Sequence, residues 1–478
     1  MNLALPVPTD LAKLVAEVPA LGRCYFVGGC VRDALLGRPV TDFDLEVHGV
    51  GFEELAAALR PFGRVDLVGR SFGVVKLVLG GAVHDFSLPR RDSKCGPGHR
   101  GFEAEFDPTI EPRDAAARRD FTINALMVDA HSSGLLDFFG GVEDLRHRVL
   151  RHTGPAFGED PLRVLRGLQF ASRFDLTAAS ETLALCRQIA SSFGELPVDR
   201  LRGEWWKWAA LSVRPSAGLR FLEAGGWLVH FPEIAGLRGV AQEPDWHPEG
   251  DVFEHTGHCL DALVDLPEWQ VAPEDDRVVW TLAVLAHDFG KAVATRVVER
   301  NGRPRIVSPG HERDSVPLAA SFLGRIGTPH RIVDRVLPLV ANHMAHFGDV
   351  TERAVRRLAR RLHPETIDHL CVLMTADAFG RPPRPREVPA SVTALRRVAA
   401  GLAVADAAPR PILLGRHLVA LGLAPGRDVG RWAAAAFEAQ LDGRFHDLDG
   451  AYAWLAEHGS APEPLAAAAR KAAERKNL

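Results

Sequence analysis

Short apolar runs broken by glycine-bearing polar turns fill the first third of the chain. Cys24–Val27 is one such run; Gly28-Gly29 follows it, and Val31–Leu36 comes next. That order predicts a strand, a tight turn and the first turns of a helix. A second strand begins near Asp42. Its period of two puts Asp42 and Asp44 on one face and turns Phe43 into the core. Phe52–Leu59 reads as a helix, Arg64–Val68 as a strand, Gly69–Gly73 as a turn and Val74–Leu79 as a continuous strand. Val83–Leu88 is a further strand, with Asp85 and Ser87 on one face. The segment Arg90–Phe106, rich in Gly, Pro, Arg and Lys, reads as a mobile basic loop rather than core. Arg118–Ala125 has helical spacing that sets Asp120 and Asn124 one turn apart. Alternating strands and helices predict an α/β head on a small sheet over residues 1–145.

The pattern then changes. Residues 152–240 lack strand-like runs and read as helices, with Pro161 in the first turn of one of them, where proline is tolerated. Val279–Ala286 is an apolar helical run that ends on His287-Asp288. Gly380–Pro389 is a Pro/Arg linker, and Ser391–Leu478 is Ala-rich with helical spacing. These shifts predict four segments: a head (1–145), a helical neck (146–240), a third segment (241–390) and a helical tail (391–478). The fold class expected is α+β, with an α/β head and all-helical remainder.

Composition narrows the class. A chain of 478 residues exceeds one core, and 46% hydrophobic with 25% charged residues is ordinary for a globular protein. The apolar stretches are too short to span a membrane, and the N-terminus lacks the basic start of a secretory signal. Six scattered cysteines without a CxxC pair fit reduced thiols and a cytoplasmic location. The net charge of −4 does not announce a nucleic-acid binder, but local Arg patches can offset acidic metal sites.

The candidate chemistry begins at Gly28–Glu46. Two glycines let backbone N–H groups approach phosphate oxygens, at a helix start that favours anions. Paired carboxylates at Asp42 and Asp44 beside such a cradle suit Mg²⁺ bridging protein and nucleotide. Asp85 either joins them as a third carboxylate or is a strand-edge Asp. The pattern GGxVRD followed by DxD resembles the nucleotidyltransferases of the polymerase-β superfamily. Within it, the chain is similar to the class II bacterial CCA-adding tRNA nucleotidyltransferases and poly(A) polymerases. RRDFTINA (118–125) and LDFFGGVEDLRHRVLR (136–151) also resemble that family. The resemblance implies catalytic Asp42, Asp44 and Asp85, and nucleotide contacts from Gly28, Gly29 and Arg32. Arg119 would meet the triphosphate, and Asp120 and Asn124 the ribose.

Glu159-Asp160-Pro161-Leu162-Arg163 opens a helix on which Arg166 also lies. Asp160 accepts hydrogen bonds and Arg163 donates them. Cytosine and adenine each offer an amine donor beside a ring-nitrogen acceptor, whereas uracil and guanine present the reverse. The pair therefore suits C and A and opposes U and G, since a mismatched base leaves buried polar groups unpaired. Arg200 and Glu204, at i and i+4, resemble the family's helix-stabilising motif and read as support for this helix. Trp205, Trp206 and Trp208 read as core, with base stacking the sharper alternative.

Residues 241–390 hold His255, His287-Asp288, His311, His343 and Asp377. This resembles the HD phosphohydrolases, which implies a divalent metal on His255, His287, Asp288 and Asp377. Imidazole with carboxylate suits Mn, Fe, Co or Ni, with Mg²⁺ also open. His311 and His343 serve a second metal or the substrate phosphate, and Lys291 faces phosphate. The strand-free helix RAVRRLARR (353–361) is the strongest basic patch, either an RNA contact or a solvated face.

The expectation is template-independent addition of C, C and A to tRNA 3′ ends from CTP and ATP, with a metal-dependent hydrolase attached. The expected partners are tRNA, CTP and ATP, with no membrane; the oligomeric state stays open. The rivals are a partial enzyme adding only CC or only A, a poly(A) polymerase, and a nucleotidylating regulator.

Overall fold

The computed structural model describes residues 1–67, 73–94, 102–347, 350–458 and 461–474. Residue contacts divide the chain into two compact units, Met1–Ala235 and Gly236–Leu478. In the first unit the strands are β1 (Cys24–Val27), β2 (Asp44–Val47), β3 (Arg64–Asp66), β4 (Val74–Leu79), β5 (Ala82–Ser87), β6 (Arg90–Lys94), β7 (Phe102–Phe106), β8 (Met127–Asp129) and β9 (Leu135–Leu136). Seven of them form one sheet in the order β3-β4-β5-β2-β1-β8-β9. Only β2 and β5 are parallel neighbours in it; the other adjacent pairs run antiparallel. The parallel pair sets Asp44 opposite Asp85, so the sheet brings together two carboxylates that lie far apart in sequence.

The alternation at Asp42-Phe43-Asp44 holds: Phe43 is buried and both aspartates are exposed. The strand itself starts at Asp44, and Asp42 lies in the extended segment before it. The turn expected over Gly69–Gly73, and the end of the strand before it, lie largely outside the described residues.

Two local expectations need correction. Arg90–Phe106 is not a loop throughout: β6 and β7 pair antiparallel from Arg90↔Phe106 to Lys94↔Phe102. The alternating string FEAEF carries that signal, and the Gly/Pro content around it obscures it. Arg118–Ala125 is not an α-helix. The helix Pro112–Ala117 stops before it, and only Thr122–Asn124 forms a 3₁₀ turn. Asp120 Oδ1 takes the Phe121 N–H at 2.8 Å, and the Thr122 N–H goes to Arg151 O at 2.9 Å. A side chain that captures a nearby backbone donor competes with helix continuation. Asp120 and Asn124 still meet, with Asn124 Nδ2 donating to Asp120 Oδ1 at 3.0 Å.

Helices complete the first unit, chiefly Leu162–Phe174, Ser180–Gln188, Val198–Leu211 and Pro215–Ala224. A two-residue parallel pairing, Val149–Leu150 with Thr177–Ala178, interrupts the helical run. Trp205 and Trp208 are buried and pack edge to face at 5.2 Å, and the Trp208 indole donates to Pro215 O at 3.1 Å. They are core residues, not stacking platforms.

Among its described residues the second unit is helical apart from one hairpin, Arg296–Arg300 with Arg303–Val307. Helices Val252–Val264, Glu274–Ala286 and Ile367–Phe379 are buried almost throughout and form its centre. The tail helices close over their own apolar cluster, which includes Leu418, Trp432, Ala436, Leu455 and Ala469. Among the described residues no helix is long and apolar enough to cross a membrane.

Candidate active sites

β1 delivers the chain to Gly28, whose φ of 70° is open to glycine but strained for other residues. A Cβ there would also stand 3.2 Å from Arg119 Nη1. The helix Gly29–Leu35 follows and carries Arg32, which is buried. Arg32 Nε donates to Asp33 Oδ1 at 2.9 Å and Nη1 donates to Asn124 Oδ1 at 2.6 Å. Its guanidinium lies over the Phe174 ring at 4.4 Å. Burial pushes its pKa down, though Asp33 counters this.

Asp44 opens β2 beside this turn. Crowding by the cleft wall pushes its carboxyl pKa up even though the side chain keeps contact with solvent, and the charges of Asp85 and Asp42 add to that push. Both Asp85 oxygens accept from Lys76 Nζ, at 3.0 and 2.9 Å. A carboxylate raised by like charges is one that a dication relieves, so the donor set fits Mg²⁺.

Two residues further on, Glu46 is fully buried, a role the sequence reading missed. It accepts from Arg118 Nη2 at 3.1 Å and Arg119 Nη2 at 3.4 Å, and meets His48 Nε2 at 3.3 Å. Burial alone would raise its pKa; the His48 hydrogen bond and the two guanidinium groups outweigh that and pull it to about 2. Glu46 thereby anchors Arg119 beside Gly28. The only sequence signal was the DxDxE spacing, which continues one strand face inward.

Asp120 is the hub of the opposite wall. Its Oδ2 accepts from Arg166 Nε at 2.5 Å while Oδ1 serves Phe121 and Asn124. Burial opposes its ionisation, but Arg166 outweighs burial and holds the pKa below the usual carboxylate range. Asp160 Oδ1 accepts the Leu162 N–H at 3.0 Å, just ahead of the helix Leu162–Phe174. Arg200 approaches Asp160 at 3.9 Å, so the helix Val198–Leu211 reaches the start of the helix Leu162–Phe174 directly. Arg163 Nη2 donates to Arg118 O at 2.7 Å, while its Nη1 is buried with no hydrogen-bond partner among the described residues.

All of this surrounds one cleft of about 430 Å³, lined by Gly28, Gly29, Asp44, Asp120, Asp160 and Arg163 among others. Eight arginines and one lysine line it against three aspartates. A chain of slightly acidic net charge thus concentrates cations in one place, as a triphosphate site requires. Asp42 and Asp85 are not on the lining; Asp42 precedes Asp44 on the exposed face.

The second site lies in the second unit. His255 sits on the helix Val252–Val264, His287-Asp288 follows the helix Glu274–Ala286, and Asp377 sits on the helix Ile367–Phe379. His311 opens the helix His311–Arg325 and His343 follows the helix His330–Asn342. All six side chains are buried together. The Nδ1 atoms of His287, His311 and His343 face the carbonyls of Val284, Ser308 and Val340 at 2.6, 2.7 and 2.8 Å. A carbonyl only accepts, so each Nδ1 carries a proton and each ring turns its Nε2 inward. His255 repeats the arrangement through Glu249, whose Oε1 lies 2.7 Å from its Nδ1.

The inward atoms gather on Asp288. Its Oδ2 lies 3.3 Å from His287 Nε2 and 3.7 Å from His255 Nε2; its Oδ1 lies 3.1 Å from His311 Nε2 and 3.8 Å from His343 Nε2. Asp377 Oδ1 is 3.1 Å from His255 Nε2. Apart from that approach to Asp288, His287 Nε2 is buried without a hydrogen-bond partner among the described residues. Converging imidazole lone pairs, two carboxylates and an orphaned ring nitrogen fit divalent metal ions. Among the described residues the candidate ligand atoms fall into three groups: His255, Cys259, His287 and Asp377; Asp288, His311 and His343; and His247, Glu249 and His255, which shares His255 with the first. Lys291 Nζ reaches Asp288 at 2.7 Å, and Arg381 reaches Asp377 at 2.8 Å. Burial opposes the charge on Asp288, but His287 and Lys291 hold its pKa well below the usual range. Glu249 and Arg381 were missed by the sequence reading: the first lay in a loop, the second in an apparent linker.

The basic helix Glu352–Leu362 is a structural element instead. Arg357 pairs with Asp442 at 2.8 Å and Glu438 at 3.1 Å, Arg353 pairs with Asp442 at 2.8 Å, and Arg360 pairs with Glu438. These pairs tie it to the tail helix Arg427–Leu441.

Both regions match known protein families. Residues 24–151 match the Poly A polymerase head domain family, and residues 252–381 match the HD domain family. The multifunctional CCA protein of Pasteurella multocida is 35% identical over 375 residues, covering 75% of this chain and 84% of the relative. That of Stenotrophomonas maltophilia is 36% identical over 372 residues, covering 75% and 86%. The fold resembles the Bacillus stearothermophilus CCA-adding enzyme solved in complex with CTP, at a TM-score of 0.64, 22% identity and 98% coverage of each chain. It also resembles the Thermotoga maritima CCA-adding enzyme complexed with tRNA, at a TM-score of 0.58 and 19% identity over 93% of this chain and 94% of that one. By its likeness to the two curated relatives, the chain belongs to the multifunctional CCA protein family and carries a poly(A) polymerase-type head and an HD domain on one polypeptide.

Proposed function

We propose that the first unit adds C, C and A to tRNA 3′ ends from CTP and ATP without a template, and that the second hydrolyses small phosphoesters. The observation that carries the first half is Arg163 Nη1, a buried donor without a hydrogen-bond partner among the described residues, in the same cleft as Asp160 and Asp44. That donor, in one cleft with the Asp160 acceptor, suits the Watson–Crick edge of C or A. Asp120, fixed by Arg166 and Asn124, is assigned to orient the ribose wall of the cleft. Arg119, steadied by Glu46, is assigned to the triphosphate, next to the backbone of Gly28. Asp42 and Asp44 would hold Mg²⁺, which supplies charge neutralisation for attack of the tRNA 3′-hydroxyl on the α-phosphate and departure of pyrophosphate. Asp85 adds to the negative potential at Asp44 while Lys76 shares its charge.

In the second unit His255, His287, Asp288 and Asp377 would hold a divalent ion, Mn²⁺, Ni²⁺, Co²⁺, Fe²⁺ or Mg²⁺, with His311 and His343 on the far side of Asp288. A bound ion there supplies Lewis acidity for water and phosphate. Lys291 and Arg381 are placed to balance phosphate charge, and the substrates proposed are 2′,3′-cyclic nucleotides. Buried free thiols at Cys24, Cys30, Cys186, Cys259 and Cys371 support a reducing, cytoplasmic setting.

The test is a reciprocal pair of variants. Asp44→Ala should abolish nucleotide addition and leave hydrolysis of cyclic nucleotides intact, and Asp288→Ala should do the reverse. Loss of both activities in either variant would contradict two independent sites.

A further inference from the structure

Two cavities adjoin in the second unit. The first, of about 520 Å³, contains Asp288, His311, His343 and Asp377 and so opens onto the metal-ligand cluster. The second, of about 620 Å³, contains no residue of that cluster. The two share Glu243, Trp246, Arg300, Ile306 and Val307. Either one alone has the volume of a small-molecule site, so a mononucleotide has no use for both.

The shared wall has a distinct chemistry. Trp246 is 60% exposed, an uncommon state for the largest apolar side chain. The Arg384 guanidinium lies 5.3 Å from its ring, which braces the indole. The hairpin Arg296–Val307 carries Arg296, Arg300, Arg303 and Arg305. Arg305 is committed to Glu243 at 2.7 Å and to Asp245. Arg296, Arg300 and Arg303 are exposed and make no ion pair among the described residues. Arg296 lines the inner cavity, Arg300 both, and Arg303 the outer one. Cations therefore lead outward from the ligand cluster past an open indole face.

We propose that this groove binds the 3′ end of a single-stranded oligonucleotide, with its terminal phosphate at the histidine cluster, a base on Trp246 and preceding phosphodiesters along Arg300 and Arg303. A positive track with an aromatic platform is the combination that holds single strands without reading sequence. This deepens the hydrolase reading and rests on it: the preferred substrate is an oligonucleotide ending in a 2′,3′-cyclic phosphate. In its hydrolysis the water oxygen joins phosphorus, one ring P–O bond breaks, and the second water proton ends on the released ribose hydroxyl.

The experiment compares a 2′,3′-cyclic mononucleotide with a tetranucleotide ending in the same cyclic phosphate, on the full chain supplied with Ni²⁺ or Mn²⁺. The tetranucleotide should show a KM lower by about tenfold or more, the contribution of one stacked base. Arg300→Glu/Arg303→Glu should erase that advantage, and the single variant Arg303→Glu, altered only in the outer cavity, should reduce it while its mononucleotide kinetics stay within about twofold. A second arm uses chelator-treated protein and the fluorescence anisotropy of a labelled 3′-phosphorylated tetranucleotide. The wild-type chain should bind more tightly than the double variant and than Trp246→Ala, with a salt slope steeper than the double variant's by about 0.7 per lost phosphate contact. Equal KM values for the two substrates, or unchanged binding and slope in the double variant, would overturn the groove. If neither substrate is hydrolysed the hydrolase reading fails, and the anisotropy arm still decides whether the groove binds RNA.

Discussion

The Nε2 atoms of His311 and His343 stand 3.1 Å apart. Both rings hold their Nδ1 protons toward backbone carbonyls, so in their neutral forms two lone pairs confront each other. One ring must then be protonated, or a cation must lie between them. His311 is the ring suited to a proton: burial disfavours the charge, but Asp288 outweighs burial and raises its pKa. Burial pushes His343 the other way, down to about 3.

This pair predicts metal stoichiometry. After equilibration with Mn²⁺ or Ni²⁺ and removal of free ion, mass spectrometry should find two ions in the wild-type second unit and one in His343→Ala. Retention should fall as pH drops below the histidine range near 6.5, because protons compete for Nε2. Equal content in both proteins would remove His343 from the ligand set.

Glu46 gives a prediction about acid. Its folded pKa of about 2 lies below the ordinary value of 4.5, so its contribution is complete above pH 4.5 and is lost as pH falls toward 2. The shift corresponds to stability on the order of 3 kcal/mol. Hydrogen exchange of the β2 amides should be faster in Glu46→Gln than in wild type at pH 6, and the gap should narrow at pH 3. A gap of equal size at both values would show that Glu46 acts through packing alone.

Arg163→Ala should slow incorporation of CTP and ATP and raise the relative use of UTP and GTP, since the unpaired-donor penalty against the wrong bases is gone. Single-nucleotide incorporation assays with each of the four triphosphates measure this directly. Unaltered CTP and ATP kinetics with UTP still rejected would take base reading away from Arg163.

Periodicity carried most of what was legible. The burial of Phe43 between two exposed aspartates follows from a period of two, and the run Val279–Ala286 leads into His287-Asp288 as helical spacing requires. What the sequence concealed depends on approach across the fold. Glu46 meets Arg118 and Arg119 only because the sheet folds back, and Glu249 meets His255 from a loop. Arg381 reads as linker until its ion pair with Asp377 is seen. Composition misled at Arg90–Phe106, where Gly and Pro masked two paired strands, and at Arg353–Arg361, whose charges are balanced by Glu438 and Asp442. At Asp120 the side chain's own hydrogen bonds ended the helix that spacing alone predicted.

The central claim is that one cleft in the first unit selects C and A and joins them to tRNA. Purified protein supplied with tRNA ending at the discriminator base, Mg²⁺ and all four nucleoside triphosphates tests it most directly, with the product ends sequenced. The account predicts C, C and A added in that order and growth stopping there. Tracts of A, products ending at CC, A added only to tRNA already bearing CC, or incorporation of U or G at rates comparable to C would contradict it.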